Sequence, residues 1–316
     1  MAEHFFYMHQ SCNDFDEYRA NARGWDLDYH QLESGLFSSE RLSFGNSSFM
    51  FSHTKIGRRL LQRGTTPSGL LTFGLLANPD ICINWRNTDI EGDSIFIFPP
   101  DGELHSVTQA NFSAFPLSLS EQKLNRVCIL LELPEFRKLV NNKEIFLCDP
   151  QKLRKFREYL ALVEYRLVFD ANFSLHLHFL QEIEDEIANR LVRMLAEHSQ
   201  PAHKKRVRKR DTALKTADAY IRENSAKLLT IPELCSVANA SQRMLEYAFR
   251  ERYAMTPKAY IQTFRLNNAR KQLKKANPCT DQVTKIAQQN GFTHMGQFSA
   301  YYKNLFLERP SDTLRE

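Results

Sequence analysis

Twice between Asp211 and Glu316 the sequence specifies a short helix, a left-handed turn and a second amphipathic helix, an order that few folds accommodate. In the first copy Thr230 can cap a helix with Pro232 in its first turn and Glu233 three residues on. There the Thr hydroxyl and the Glu carboxylate each take one orphan backbone donor. This helix, Ile231 to about Ala238, is expected to end at Asn239, because Asn tolerates the left-handed conformation that most side chains avoid. Ser241 then offers its hydroxyl to the next helix, Gln242 to about Tyr253. Leu234, Val237, Leu245 and Phe249 are the expected apolar contacts within the pair. In the second copy Thr280 is expected to cap a helix with Val283, Ile286 and Ala287 inward, and Gly291 takes the turn. A further helix runs from about His294 to Phe306, with Phe298, Tyr302 and Phe306 at spacings of four. Between the copies, Thr256 and Pro257 open a helix to about Ala276 that carries Arg265, Arg270, Lys271, Lys274 and Lys275.

A helix held against a second one through a tight turn is the helix-turn-helix arrangement. Two of them on one rigid connecting helix could enter successive major grooves, about 34 Å apart on one face of a duplex. The charge distribution agrees. Residues 201–316 carry 22 Lys/Arg and 10 Asp/Glu, a net +12, whereas residues 1–200 carry 20 and 27, a net −7. Such a split suggests that the C-terminal part meets a polyanion.

The rest of the chain reads in three parts. Residues 1 to about 30 are aromatic and irregular. From about Leu27 to Leu133 short runs rich in β-branched and aromatic residues (Glu33–Phe44, Ser47–Thr54, Leu70–Ala77, Ile81–Trp85, Ser94–Phe98) alternate with Gly and Pro turns, as in a sandwich or small barrel. From about Pro134 to His198 the pattern is helical. There Leu180, Ile183, Ile187, Leu191 and Met194 share one face, either packed on their own domain or pairing two subunits. Gln200–Pro201–Ala202–His203 and the basic run Lys204–Arg210 follow as an extended tether that could also lie along phosphates.

The expected architecture is therefore α+β. A strand-rich, barrel- or cupin-like N-terminal domain with helices (1–198) and a basic linker (199–210) precede an all-α domain of two helix-turn-helix motifs joined by a long helix (211–316). The six cysteines show no metal or disulfide spacing, and no apolar run approaches the roughly 20 residues that span a bilayer. With no secretory pattern at the N-terminus, a cytoplasmic, nucleoid-associated bacterial protein is expected. His176 and His178 are two apart on a helix and do not share a face, and His53 with His105 lacks grouped acidic ligands, so no metal or other cofactor is expected. Trp85, Phe96, Phe98 and His105 could line a small-molecule pocket or simply pack the core. An enzyme with a barrel catalytic domain is the competing class, disfavoured by the missing ligand cluster.

Residues 230–241, Thr-Ile-Pro-Glu-Leu-Cys-Ser-Val-Ala-Asn-Ala-Ser, resemble the first motif of AraC/XylS-type regulators. Ile286–Phe292, Gln297–Phe298–Ser299, Tyr302, Phe306 and Pro310–Ser311 resemble the second. The resemblance covers about 100 residues; beyond it the layout is similar to regulators of the ethanolamine-utilisation type. Asn239 stands where Gly is usual in the first turn, and Leu307 where Gly commonly follows the final Phe. The resemblance implies an activator that works as a homodimer, contacts double-stranded DNA and RNA polymerase, and answers to a small effector. Carried over, the first reading helix presents Gln242, Arg243, Glu246, Tyr247 and Arg250, and the second His294, Met295, Gln297, Ala300, Tyr301 and Lys303. Arg243 and Gln297 suit base edges, since Arg can grip guanine and Gln adenine. Arg250, Arg252, Lys258, Arg265 and Lys303 suit phosphates.

Overall fold

The structure, a computed structural model, describes residues 5–85, 88–98, 104–170, 177–197, 200–201 and 209–315. Most of the basic run, His176 and the Pro99–Glu103 turn lie outside the described residues. The chain divides into two compact units. One comprises residues 1–28, 38–57 and 62–204, the other residues 29–37, 58–61 and 205–316.

The described strands form two sheets, the larger of them antiparallel and within the first unit. The larger runs, in spatial order, through β1 (Phe6–Cys12), β3 (Ser39–Gly45), β4 (Phe49–Ile56), β11 (Phe112–Leu119), β6 (Leu71–Leu76), β9 (Ser94–Ile97), β12 (Ile145–Leu147) and β13 (Gln200–Pro201). The smaller runs through β2 (Asp26–Gln31), β5 (Leu60–Thr65), β10 (Leu104–Val107), β7 (Ile83–Trp85) and β8 (Thr88–Ile90). The opening segment, expected to be irregular, thus supplies both β1 and most of β2. Its strand pattern is masked because β1 alternates half-buried and exposed residues and holds polar His9, Gln10 and Ser11. The strand β11 sits at the centre of the larger sheet despite Pro116, which opposes Gly74 on β6, and its ladder to β4 passes directly from Ala114↔Thr54 to Leu117↔Phe51. A proline lacks the donor a central strand needs, so it signals a strand end in sequence. Here the ladder opens around it instead.

Helices cover the larger sheet. Short α1 (Phe15–Ala20) follows β1; α2 (Glu121–Leu130) and α3 (Phe136–Val140) lead to α4 (Pro150–Phe169) and α5 (Leu177–Ala196). The α5 stripe of Leu180, Ile183, Ile187, Leu191 and Met194 is buried in the same core as Phe49, Phe51, Phe73, Leu117 and Leu160. It therefore packs its own unit and is not free to pair subunits. His53 on β4 is tied to α4: its Nδ1 lies 2.6 Å from Glu164 Oε2 and its Nε2 2.8 Å from Ser113 Oγ. Burial pushes the Glu164 carboxyl upward, but the bond to His53 and the charge of Lys55 outweigh it and hold it below the usual range. His53 and His105 stay on separate sheets. Among the described residues no group of three or more His, Cys, Asp or Glu could hold a metal ion, and no helix is long and apolar enough to cross a membrane.

Candidate nucleic-acid interface

Seven helices make up most of the second unit: α6 (Lys209–Glu223), α7 (Ile231–Val237), α8 (Gln242–Tyr253), α9 (Pro257–Lys275), α10 (Val283–Gln289), α11 (Met295–Phe306) and α12 (Pro310–Arg315). The first motif follows its sequence closely. Thr230 Oγ1 accepts from Glu233 N while the Glu233 carboxylate accepts from Thr230 N, closing the capping box. Tyr220 Oη also donates to Glu233 Oε1 at 2.5 Å, and this bond, first among its causes, holds the carboxyl below its ordinary range. Asn239 takes the left-handed turn at φ 47°, and Ser241 Oγ accepts from Met244 N to start α8. Leu234, Leu245 and Phe249 are fully buried, as expected, but Val237 is 40% exposed and does not belong to that contact. The aromatic frame continues into α9: Phe249 lies edge-on to Tyr260 at 5.2 Å, and Tyr253 stacks on Tyr260 at 4.3 Å.

The second motif differs at its start. Thr280 is not the cap. Instead Asn277 organises a turn, its Oδ1 accepting from Cys279 N and its carbonyl from Thr280 N, and α10 begins at Val283 without a side-chain cap. A Thr three residues before an apolar position looks like a cap in sequence; here Thr280 still belongs to the Asn277-Pro278 turn, two residues before Gln282, where α10 is entered. Gly291 holds the turn at φ 79°. Phe298, Tyr302 and Phe306 form the expected inward column, with successive ring centroids 5.6 and 4.7 Å apart. Leu307 adopts the left-handed conformation at φ 58°, so the position keeps the backbone that glycine favours and strains a leucine to do so.

On α8 the side chains of Gln242, Arg243, Tyr247 and Arg250 are exposed and Glu246 is half-buried. Ser241, Arg243, Met244, Glu246, Tyr247 and Arg250 ring a shallow hollow of about 420 Å³. Gln242 Nε2 donates to Glu246 Oε1 at 2.9 Å. Arg210, at the end of the basic run, reaches over the Tyr247 ring at 4.9 Å and pairs with Glu251 at 2.6 Å. Because Arg210 lies 37 residues from Tyr247 and 41 from Glu251, no local sequence pattern announces this brace on the outer face of α8. On α11 His294, Gln297, Ala300, Tyr301 and Lys303 are exposed and Met295 half-buried. The two sets thus lie on outward faces of two helices held by α9, whose 19 residues make a rod about 28 Å long at about 1.5 Å per residue.

Two of the basic residues assigned to phosphates, Arg252 and Arg265, point inward, and so does Arg270 of α9. Arg252 is 6% exposed. Arg270 is buried, donates to Glu308 Oε1 at 2.9 Å and lies over the Phe306 ring. Arg265 donates to Ser225 O at 2.7 Å, to Lys227 O and, at 3.4 Å, to Gly291 O, and burial pushes its guanidinium below its ordinary range. A charge count along α9 misses this because an arginine's reach lets it turn back to loop carbonyls. Lys258, Arg250 and Lys303 remain exposed.

In the first unit, Trp85, Phe96 and Phe98 come together: Trp85 lies 5.1 Å from Phe96 and 4.5 Å from Phe98, ring to ring, and Trp25 adds an edge contact to Phe98 at 5.7 Å. Trp85 is buried, and its Nε1 has no hydrogen-bond partner among the described residues. His105 does not join them. Trp85 opposes Ser106 in the ladder, so the residue before Ser106 points to the other face of the strand, and His105 Nε2 instead lies 3.5 Å from Arg63.

Residues 234–316 match a family described as a helix-turn-helix domain. The chain is 34% identical over 96 residues to the probable thc operon regulatory protein of Rhodococcus erythropolis, covering 30% of this chain and 29% of that protein. It is 35% identical over 97 residues to the XylDLEGF operon transcriptional activator of Pseudomonas putida, covering 31% and 30%. It therefore spans under a third of the length of these relatives. A probable AraC family transcriptional regulator from Rhodopseudomonas palustris is 31% identical over 33% of this chain and 94% of its own, with a TM-score of 0.30. These relatives are named as regulators of transcription rather than as enzymes. Through its C-terminal helices the chain belongs to the AraC/XylS type of helix-turn-helix transcriptional regulators.

Proposed function

We propose that the whole chain is a sequence-specific activator that binds double-stranded DNA as a homodimer, contacts RNA polymerase near a promoter and is controlled by a small-molecule effector in the cytoplasm, at the nucleoid. The supporting observation is the pair of outward faces on α8 and α11, joined by one 19-residue helix, each mixing donors and acceptors suited to base edges with cations suited to phosphates. Selection of duplexes from a random library by the full chain tests it. A two-part site should emerge, and Arg243→Ala and Gln297→Ala should each relax preference at one position by about 1–3 kcal/mol, with Arg243 governing more of the choice. If each substitution weakens all sequences equally, the two residues only position the protein.

Self-association falls to the outer side of α4 and α5. There Leu162, Tyr165, Phe169 and Phe179 are exposed beside a groove of about 950 Å³ that also holds Arg166, Glu182 and Glu186. In a two-fold pair each copy's Arg166 can face the other's carboxylates.

The effector reading rests on the Trp85 Nε1 donor, buried among aromatic rings without a partner among the described residues. An orphaned buried donor costs stability, and a ligand acceptor can satisfy it. The effector is accordingly a flat apolar molecule with a carbonyl or carboxylate oxygen. Screened by thermal shift, such compounds should stabilise the chain by about 2.7 kcal/mol at 100 times their Kd, and Trp85→Phe should diminish the gain. A regulator without an effector is the alternative, and it wins if no acceptor-bearing aromatic compound shifts the melt.

A further inference from the structure

Among the described glycines, all but one are accounted for by their own fold. Gly24, Gly35, Gly64, Gly69 and Gly291 have positive φ, where a side chain is strained. Gly45, Gly57, Gly74 and Gly92 have ordinary backbone, but a Cβ on them would collide with Phe49 O, Ser38 Oγ, the Phe96 ring and Pro79 O respectively. Gly296 has neither reason. It is the second residue of α11, has no positive φ, is exposed, and a Cβ there would meet nothing within 4 Å. Glycine is the least favourable residue for a helix apart from proline, and nothing in the chain needs it here.

A position that the fold leaves open, yet fills with the residue that weakens the helix, is explained by something outside the chain that comes close. Gly296 lies on the exposed side of α11 between His294 and Gln297, and one turn on stands Ala300, also exposed and small. Tyr301 and Lys303 project beyond them on the same helix. We propose that Gly296 is a specificity-determining position of the second reading helix: its missing side chain lets the duplex press against the backbone of α11, bringing Gln297 within reach of base edges. The inference rests on the reading of α11 as a DNA-contacting helix. It adds that the depth of insertion is set at Gly296.

The test uses the full chain and the duplex that the unaltered protein enriches from a random library, with affinity by fluorescence anisotropy and folding by thermal melt. Gly296→Ala should melt at the same temperature or higher, since alanine favours the helix, yet bind that duplex about tenfold or more weakly. Gly296→Ser should bind more weakly still. Reselection with Gly296→Ala should lose base preference in the half of the site read by α11 and keep it in the half read by α8. Unchanged affinity in Gly296→Ala overturns the inference, because the duplex then does not approach this position. A lowered melting temperature in Gly296→Ala overturns it as well, because the glycine then serves the fold. If the unaltered protein enriches no sequence, the DNA-reading role itself falls, an outcome visible before any variant is made.

Discussion

Arg265→Met is expected to destabilise the second unit by about 2–3 kcal/mol, because it removes hydrogen bonds from a charged donor to two part-buried carbonyls and one exposed carbonyl. The guanidinium reaches Ser225 and Lys227 in the loop after α6 and Gly291 in the turn of the second motif. One side chain therefore fixes the approach to the first motif against the turn of the second. Methionine keeps the apolar stem and removes all the donors, so packing changes little and the loss reports the hydrogen bonds. Lysine should rescue poorly: a single ammonium cannot spread donors over three carbonyls as a planar fork does. The measurement is chemical unfolding of the full chain, followed through the aromatic signal of the helices. A phosphate contact makes a different prediction. Removing one would leave stability nearly untouched and reduce the slope of log affinity against log salt by about one. For Arg265→Met the slope should be unchanged at temperatures where the variant is folded. A shallower slope with an unaltered melt would restore Arg265 to the DNA surface.

What the sequence disclosed about this site follows from the range of the signals. Thr230, Glu233, Asn239, Ser241 and Gly291 act within four residues of themselves, and each does in the structure what its chemistry implies. The column of Phe298, Tyr302 and Phe306 is legible for the same reason, since a spacing of four fixes a helix face. Signals that depend on distant partners were not legible. The α5 stripe was correctly apolar on one side, but periodicity cannot distinguish a core of the same unit from a second subunit, and the sheet residues beneath it are far away in sequence. Thr280 and Val237 misled because a neighbouring turn and an exposed helix end changed what local pattern alone suggested. Pro116 concealed a central strand whose ladder opens around it. The brace of Arg210 on Tyr247 and the inward turn of Arg265 belong to the same class: both are long, flexible cations whose partners only the fold brings near.

The furthest-reaching of these long-range ties yields the second large effect. Asn267→Ala should cost about 3–5 kcal/mol and should loosen residues 29–37, which belong to the same compact unit as the C-terminal helices. Asn267 lies in α9 with no exposed surface. Its Oδ1 accepts from Gln31 N at 2.8 Å and its Nδ2 donates to Gln31 O at 3.0 Å, across 236 positions of sequence. Nδ2 also donates to Thr263 O at 2.8 Å, so every strong hydrogen-bonding site of the amide but one is used. Gln31 extends the tie, its Nε2 donating to Glu33 O, Gly35 O and Leu305 O, while Gly35 N donates to Leu305 O at the end of α11. Alanine would leave the buried N–H and the buried carbonyl of Gln31 without their partner, while Thr263 O keeps the backbone bond of its own helix. Aspartate should not rescue, because it accepts from Gln31 N but cannot donate to Gln31 O, and it places a charge where no water reaches. Hydrogen exchange gives the discriminating measurement. In the unaltered chain the Gln31 and Gly35 amides should exchange as slowly as those of α9, and in Asn267→Ala both should speed up together. If Gln31 alone accelerates while Gly35 keeps its protection, Leu305 is enough to hold the segment, and the tie between α9 and residues 29–37 is weaker than its geometry indicates.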